Sequence, residues 1–182
     1  MKSMKAGSEI LFVLFLVILG VGSRMIPHPW NFTAIGSMAL FSGFSMKSNK
    51  YLMVVPFVCL IVSDALIGFY DGMIYTYIGF AVSILLSVVY FRKHEVLSFG
   101  GRVMTLGGLS VVSSFLFFLI TNFGVWKGAS FYAQDMSGLV TCYVAGLPFL
   151  FNQVAGDLFY AGVVFGLFEY LTAPKNDDRV IA

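Results

Sequence analysis

Hydrophobic and polar positions in this chain alternate in long blocks rather than residue by residue. Apolar runs cover about Ser8–Ser23, Phe32–Met46, Lys50–Tyr70, Gly72–Phe91, Arg102–Thr121 and Ser137–Leu171, and most charged residues fall between them. Such runs lack the period of two that a half-buried strand needs, so they predict helices. The segment Met25-Ile-Pro-His-Pro-Trp-Asn31 cannot be helical, because Pro27 and Pro29 remove donors and force their predecessors into extended geometry. Residues 122–136 are predicted as a loop. The remainder reads as one six-helix domain over 1–174 and a polar, disordered cytoplasmic tail over 175–182.

Composition decides the solvent. Of 182 residues 59% are hydrophobic and 11% charged, and the mean hydropathy is +0.90, which places the chain in the membrane class. Lipid leaves no partner for an open backbone, so the predicted fold is an all-α integral membrane protein with six transmembrane helices. The second helix is short, near 20 Å, whereas the last would run roughly 50 Å straight against a hydrocarbon core of about 30 Å. The last is therefore either broken near Pro148–Asn152 or has one end folded over a cavity. The first run resembles a signal peptide in length, but Gly22-Ser23-Arg24-Met25 is a poor cleavage site and the helix reads as retained. With both termini in the cytoplasm, Lys2, Lys5, Lys47, Lys50, Arg92, Lys93, Arg102, Lys175 and Arg179 lie inside, and Arg24 and Lys127 outside. Nine against two sets that orientation.

The unusual side chains then gather in the outer half. Asp64, Gly68 and Asp71 share one helical face by their spacing. Asp64 lies roughly 9 Å below the outer end, with Arg24 as the nearest cation by depth. One reading is an aromatic belt with a structural Arg24–Asp64 pair. The other is an outward-facing pocket for a small, ring-containing solute, lined by Asn31, Asp64, Tyr75, Asn122, Trp126 and Tyr143. Asp157, with Gln153 and Tyr160 on its face, is either part of a buried network or a coupling residue. Small residues mark helix contacts: Gly36, Ala39 and Gly43 on the second helix, Gly162 and Gly166 on the last, and the stripe Gly72, Thr76, Gly79, Ser83, Ser87 on the fourth.

Several chemistries are disfavoured. Cys59 and Cys142 stand alone in apolar sequence, with neither disulfide nor zinc spacing, and His28 and His94 are loop residues without a metal pattern. No Walker loop, nucleotide fingerprint or basic patch interleaved with aromatics occurs, so no cofactor, ATP hydrolysis or nucleic-acid partner is expected. Tyr70-Asp71 and Gly156-Asp157 faintly echo intramembrane aspartyl proteases. A catalytic dyad must share a proton at close range, and Asp71 belongs at the rim while Asp157 lies far deeper. The chain is read as not an enzyme.

The phrases HPWNFTAIGSMALFSG (28–43), SDALIGFYDG (63–72), LITNFGVW (119–126) and SGLVTCYVAGLPFLFNQVAGDLFYAGVVFG (137–166) resemble an uncharacterised bacterial family of small integral membrane proteins. That family is similar in turn to the S components, the substrate-binding subunits of energy-coupling-factor vitamin transporters. The resemblance implies a multi-pass protein of the bacterial inner membrane that captures a vitamin-like molecule and topples in the bilayer, driven by a shared module of a transmembrane coupling subunit plus ATPases. S components carry alanines spaced by four on helix one. Here that helix reads ILFVLFLVILGVG, leaving Gly36, Ala39 and Gly43 as the substitute docking face. Two alternatives stand beside transport with that module: a structural or assembly protein without a ligand, and a solitary proton- or sodium-coupled carrier using Asp64 or Asp157.

Overall fold

A computed structural model describes residues 6–45, 50–94 and 98–172, and the tail expected over 175–182 lies outside them. The described residues form α1 (Ala6–Met25), α2 (Ile35–Ser45), a 3-10 turn (Lys50–Val54), α3 (Val55–Ile67), α4 (Met73–Lys93), α5 (Phe99–Gly128) and α6 (Met136–Thr172). Helices α1, α4, α5 and α6 are long and apolar enough to cross a membrane, while α2 and α3 are shorter. The described residues thus have the make-up of a multi-pass helical membrane protein, with four helices long and apolar enough to span where the sequence predicted six.

Helix α2 is the hub. Ten of its eleven residues are buried, because it is small or apolar all round and offers no polar face to water. Its glycines set the spacing. A Cβ added at Gly36 would strike the Asp157 carboxyl of α6, and one at Gly43 would strike Ser87 of α4. Ser87 Oγ donates to Leu40 O across that contact at 2.5 Å. The small stripe of α4 continues outward, with Ser83 Oγ meeting Ser113 Oγ of α5 at 2.7 Å. Gly79 lies under the Phe117 ring. Gly36, Ala39 and Gly43 are therefore buried inside the bundle, as helix contacts, rather than presented on its outside. Gly162 and Gly166 behave oppositely. No described atom lies within 4 Å of a Cβ built at either, and both border an outer groove between α5 and α6.

Three element boundaries differ from the sequence reading. Helix α3 stops at Ile67, because Gly68 and Gly72 adopt φ of 110° and 80° and turn the chain. Asp71 consequently sits exposed in the 68–72 turn and shares no helical face with Asp64. Helix α5 runs through the segment expected to be a loop, so Asn122 and Trp126 are helical. Thr121 Oγ and Asn122 Nδ2 bond back to Phe117 O and Phe118 O, at 2.9 Å each, which gives each side chain one partner on its own helix. Helix α6 is unbroken across Pro148; the missing N–H costs one ladder bond, which membrane helices tolerate.

The two ends of the bundle differ. At the end where α2 and α4 finish, Phe12, Phe41, Phe44, Phe91, Phe165 and Phe168 interlock, with Phe41–Phe165 centroids 5.0 Å apart and Phe44–Phe91 5.1 Å apart. Edge-to-face rings of this kind form a solid plug. The other end carries the 26–34, 68–72 and 129–135 connections, and it is hollow.

Candidate functional site

The hollow is a recess of about 710 Å³ walled by the 26–34 connection, the end of α3, the start of α4, the last turns of α5 and the first half of α6. The connection is pinned from below. Ser23 Oγ accepts from Ala34 N at 3.0 Å and donates to Gly20 O at 3.1 Å. Asn31 takes φ of 65°, a left-handed conformation that asparagine tolerates, and this turns Trp30 onto Phe149 of α6 at 6.2 Å. Across the recess the α5–α6 hairpin is closed by Trp126 Nε1 donating to Ala133 O at 2.8 Å and Gln134 Nε2 donating to Trp126 O at 2.7 Å. Asp135 caps α6, its Oδ1 accepting from Gly138 N and Ser137 Oγ at 2.8 Å each. Those hydrogen bonds, Gly138 N–H foremost, hold its carboxyl below the usual carboxylate range.

The sequence-predicted residues divide. Asn31 and Asn122 line the recess. Asp64 lies behind its wall, fully buried. Its Oδ1 meets Arg24 Nη2 at 2.6 Å as an ion pair, and its Oδ2 accepts from Tyr77 at 2.8 Å. Arg24 Nη1 also donates to Ser63 Oγ at 2.6 Å and more weakly to Leu60 O at 3.4 Å. The guanidinium borders the recess, but its charge is already matched. Tyr75 is taken up elsewhere, packing over Gly124 and the Phe123 ring. Tyr143 is likewise taken up, donating to Leu119 O at 2.7 Å and lying on Phe118. Neither borders the recess, and neither does Trp126, whose indole N–H serves the hairpin.

Other residues complete the wall: Thr33, Phe117, Thr121, Ala145, Phe149 and Gln153. Phe117, Thr121 and Val125 recur at i, i+4, i+8 on α5, and Cys142, Gly146, Phe149 and Gln153 at i, i+4, i+7, i+11 on α6. That spacing points to them once α5 is taken as helical to Gly128.

Beneath Gln153 lies Asp157, 1% exposed. Its Oδ2 is 2.7 Å from Ser114 Oγ of α5 and 3.0 Å from Gln153 Nε2. Among the described residues, no group of three or more His, Cys, Asp or Glu is placed to hold a metal ion.

No curated protein and no solved structure matches the chain. A family model matches residues 4–178. This covers nearly all of the sequence, and the protein belongs to that family, described as "Family of unknown function (DUF6580)".

Proposed function

We propose that this protein captures a small, uncharged, ring-containing solute in the recess, as an S-component-like binding subunit of a bacterial inner-membrane transporter. One observation carries the reading: an aromatic-walled hollow of about 710 Å³ whose bordering guanidinium is already paired. Small-molecule sites usually fall between about 300 and 1,000 Å³ and combine apolar walls with a few placed polar groups. Here Phe80, Phe117 and Phe149 are among the apolar residues of the wall, and Asn31, Asn122 and Gln153 among the polar ones. With Arg24 committed to Asp64, an ionised solute would enter without a counter-charge, so a neutral one fits best. The basic residues Arg92, Lys93 and Arg102 belong to the opposite end, which supports a recess facing outward and both termini in the cytoplasm.

Capture is the part that the geometry supports. Helix α1 turns Ile10, Leu11, Leu14 and Ile18 outward rather than small residues, and α2 is buried, so neither offers the face expected for an energising module. The test is thermal unfolding of the detergent-purified protein with riboflavin or a free nucleobase, set against charged folate and thiamine. A neutral binder at about 100 times its Kd stabilises the native state by about 2.7 kcal/mol. A flat response to all of them would favour a structural or assembly role.

A further inference from the structure

We propose that Asp157 is a proton-binding site within the membrane, held in its neutral form and reached by water from the recess along the path beside Gln153. This follows from counting hydrogens. Ser114 Oγ lies 2.8 Å from Ser110 O and 2.7 Å from Asp157 Oδ2. A serine hydroxyl has one hydrogen, so it can fill only one of these contacts as donor. If the carboxyl is ionised, one short oxygen–oxygen contact has no hydrogen between its atoms. If Oδ2 carries the proton, that O–H donates to Ser114 Oγ and Ser114 donates to Ser110 O. Gln153 Nε2 still donates to Oδ2 at 3.0 Å, and each contact then holds one hydrogen. A proton on Oδ1, which has no hydrogen-bond partner among the described residues, would still leave one Ser114 contact without a hydrogen.

Charge points the same way. Helix α2 presents Gly36 to the carboxyl and α5 presents Ser114, with Ser110 one turn away, none of them charged. On α6, Gln153 is neutral, and the Tyr160 phenol is packed with Phe32 and Phe159. Arg24 and Asp64, on α1 and α3, are closed on each other. Arg102 and Lys127 lie on α5, but neither is among the described contacts of Asp157, and Arg102 is paired with Glu169. An ionised Asp157 would therefore sit 1% exposed with no described cation bonded to it, an arrangement that membrane interiors penalise. Gly36 permits the close approach that seals Oδ1 off. Gln153 borders the recess and bonds the carboxyl, so water from the hollow reaches the carboxyl by the path beside this side chain, whose amide holds the path polar and itself carries no proton. The assignment holds whatever the recess binds.

Infrared spectroscopy of the full-length protein in lipid at neutral pH tests it. Wild type should show a protonated-carboxyl C=O band that disappears in Asp157→Asn, which keeps size and a donor toward Ser114, and that persists in Glu169→Gln. The band should shift downward on transfer to D2O, and Gln153→Leu should slow that exchange at least several-fold. No such band, or one unchanged in Asp157→Asn, overturns the neutral carboxyl. A band that exchanges equally fast in Gln153→Leu overturns the link to the recess. Both results are independent of the solute-binding assay, so either idea can fail alone.

Discussion

Removing Arg24 should cost more than removing Arg24 and Asp64 together. Arg24→Met leaves the fully buried Asp64 with Tyr77 as its one remaining hydrogen-bond donor and nothing on Oδ1. Stranding a buried charge in this way costs about 3–5 kcal/mol. Asp64→Leu is milder. The guanidinium keeps Ser63 Oγ and Leu60 O and has the recess beside it, so the loss is about 1–3 kcal/mol. In the double variant both charges are gone. Ser63 Oγ still reaches Cys59 O at 2.7 Å and only the Tyr77 hydroxyl loses its partner, which again costs about 1–3 kcal/mol. The double variant should therefore be more stable than Arg24→Met by about 2 kcal/mol, and the two changes should be far from additive. Denaturant titration of all four proteins in the same micelles measures this. Additivity within about 0.5 kcal/mol would show that the 2.6 Å contact contributes nothing as a pair, and the premise of a charge-matched recess would fail.

Other outcomes follow from the packing. Gly36→Ala drives a methyl into the Asp157 carboxyl and should destabilise by about 1–3 kcal/mol, whereas Gly162→Ala meets no described atom and should be nearly neutral by the same titration. Phe41→Ala opens the aromatic plug, where Phe41 is fully buried, and should cost about 3–5 kcal/mol without changing the Kd of any solute held at the other end. The Asp135 cap should respond to acid. Its carboxyl lies below the usual range, so its contribution is complete above that range and lost as pH falls through the lowered value. Protection of the Gly138 amide, taken relative to its intrinsic exchange rate at each pH, should fall there in wild type and show no such step in Asp135→Asn.

The fold was legible where one physical effect dominates. Long apolar blocks located the helices, and the prolines of 27–29 placed the break after α1. The Arg24–Asp64 pairing followed from depth alone. Local chemistry misled elsewhere. Asn122 and Trp126 look like loop residues, but in α5 the first bonds its amide back to the preceding turn and the second reaches a hairpin carbonyl. Pro148 looks like a breaker, yet its neighbours carry α6 through. None of the three predicted aromatic residues borders the recess, and two of them failed for a related reason. Tyr75 and Tyr143 found partners on α5, and pairing between helices distant in sequence leaves no periodic signal in a single chain. The two carboxylates fared differently from each other. Asp64 is explained by its cation, whereas the serine that meets Asp157 sits 43 positions away on α5 and could not be named from spacing.

The central claim is that the recess holds a small neutral molecule, and direct mass measurement tests it best. Native mass spectrometry of protein extracted from its own membrane should be compared for wild type and Ala145→Trp, which places a large ring in the hollow. Wild type should retain a non-lipid adduct of small-molecule mass, or acquire one from added riboflavin or nucleobase, and Ala145→Trp should lose it while remaining folded. Bare wild-type protein under every condition, or an adduct that survives Ala145→Trp unchanged, would contradict the account.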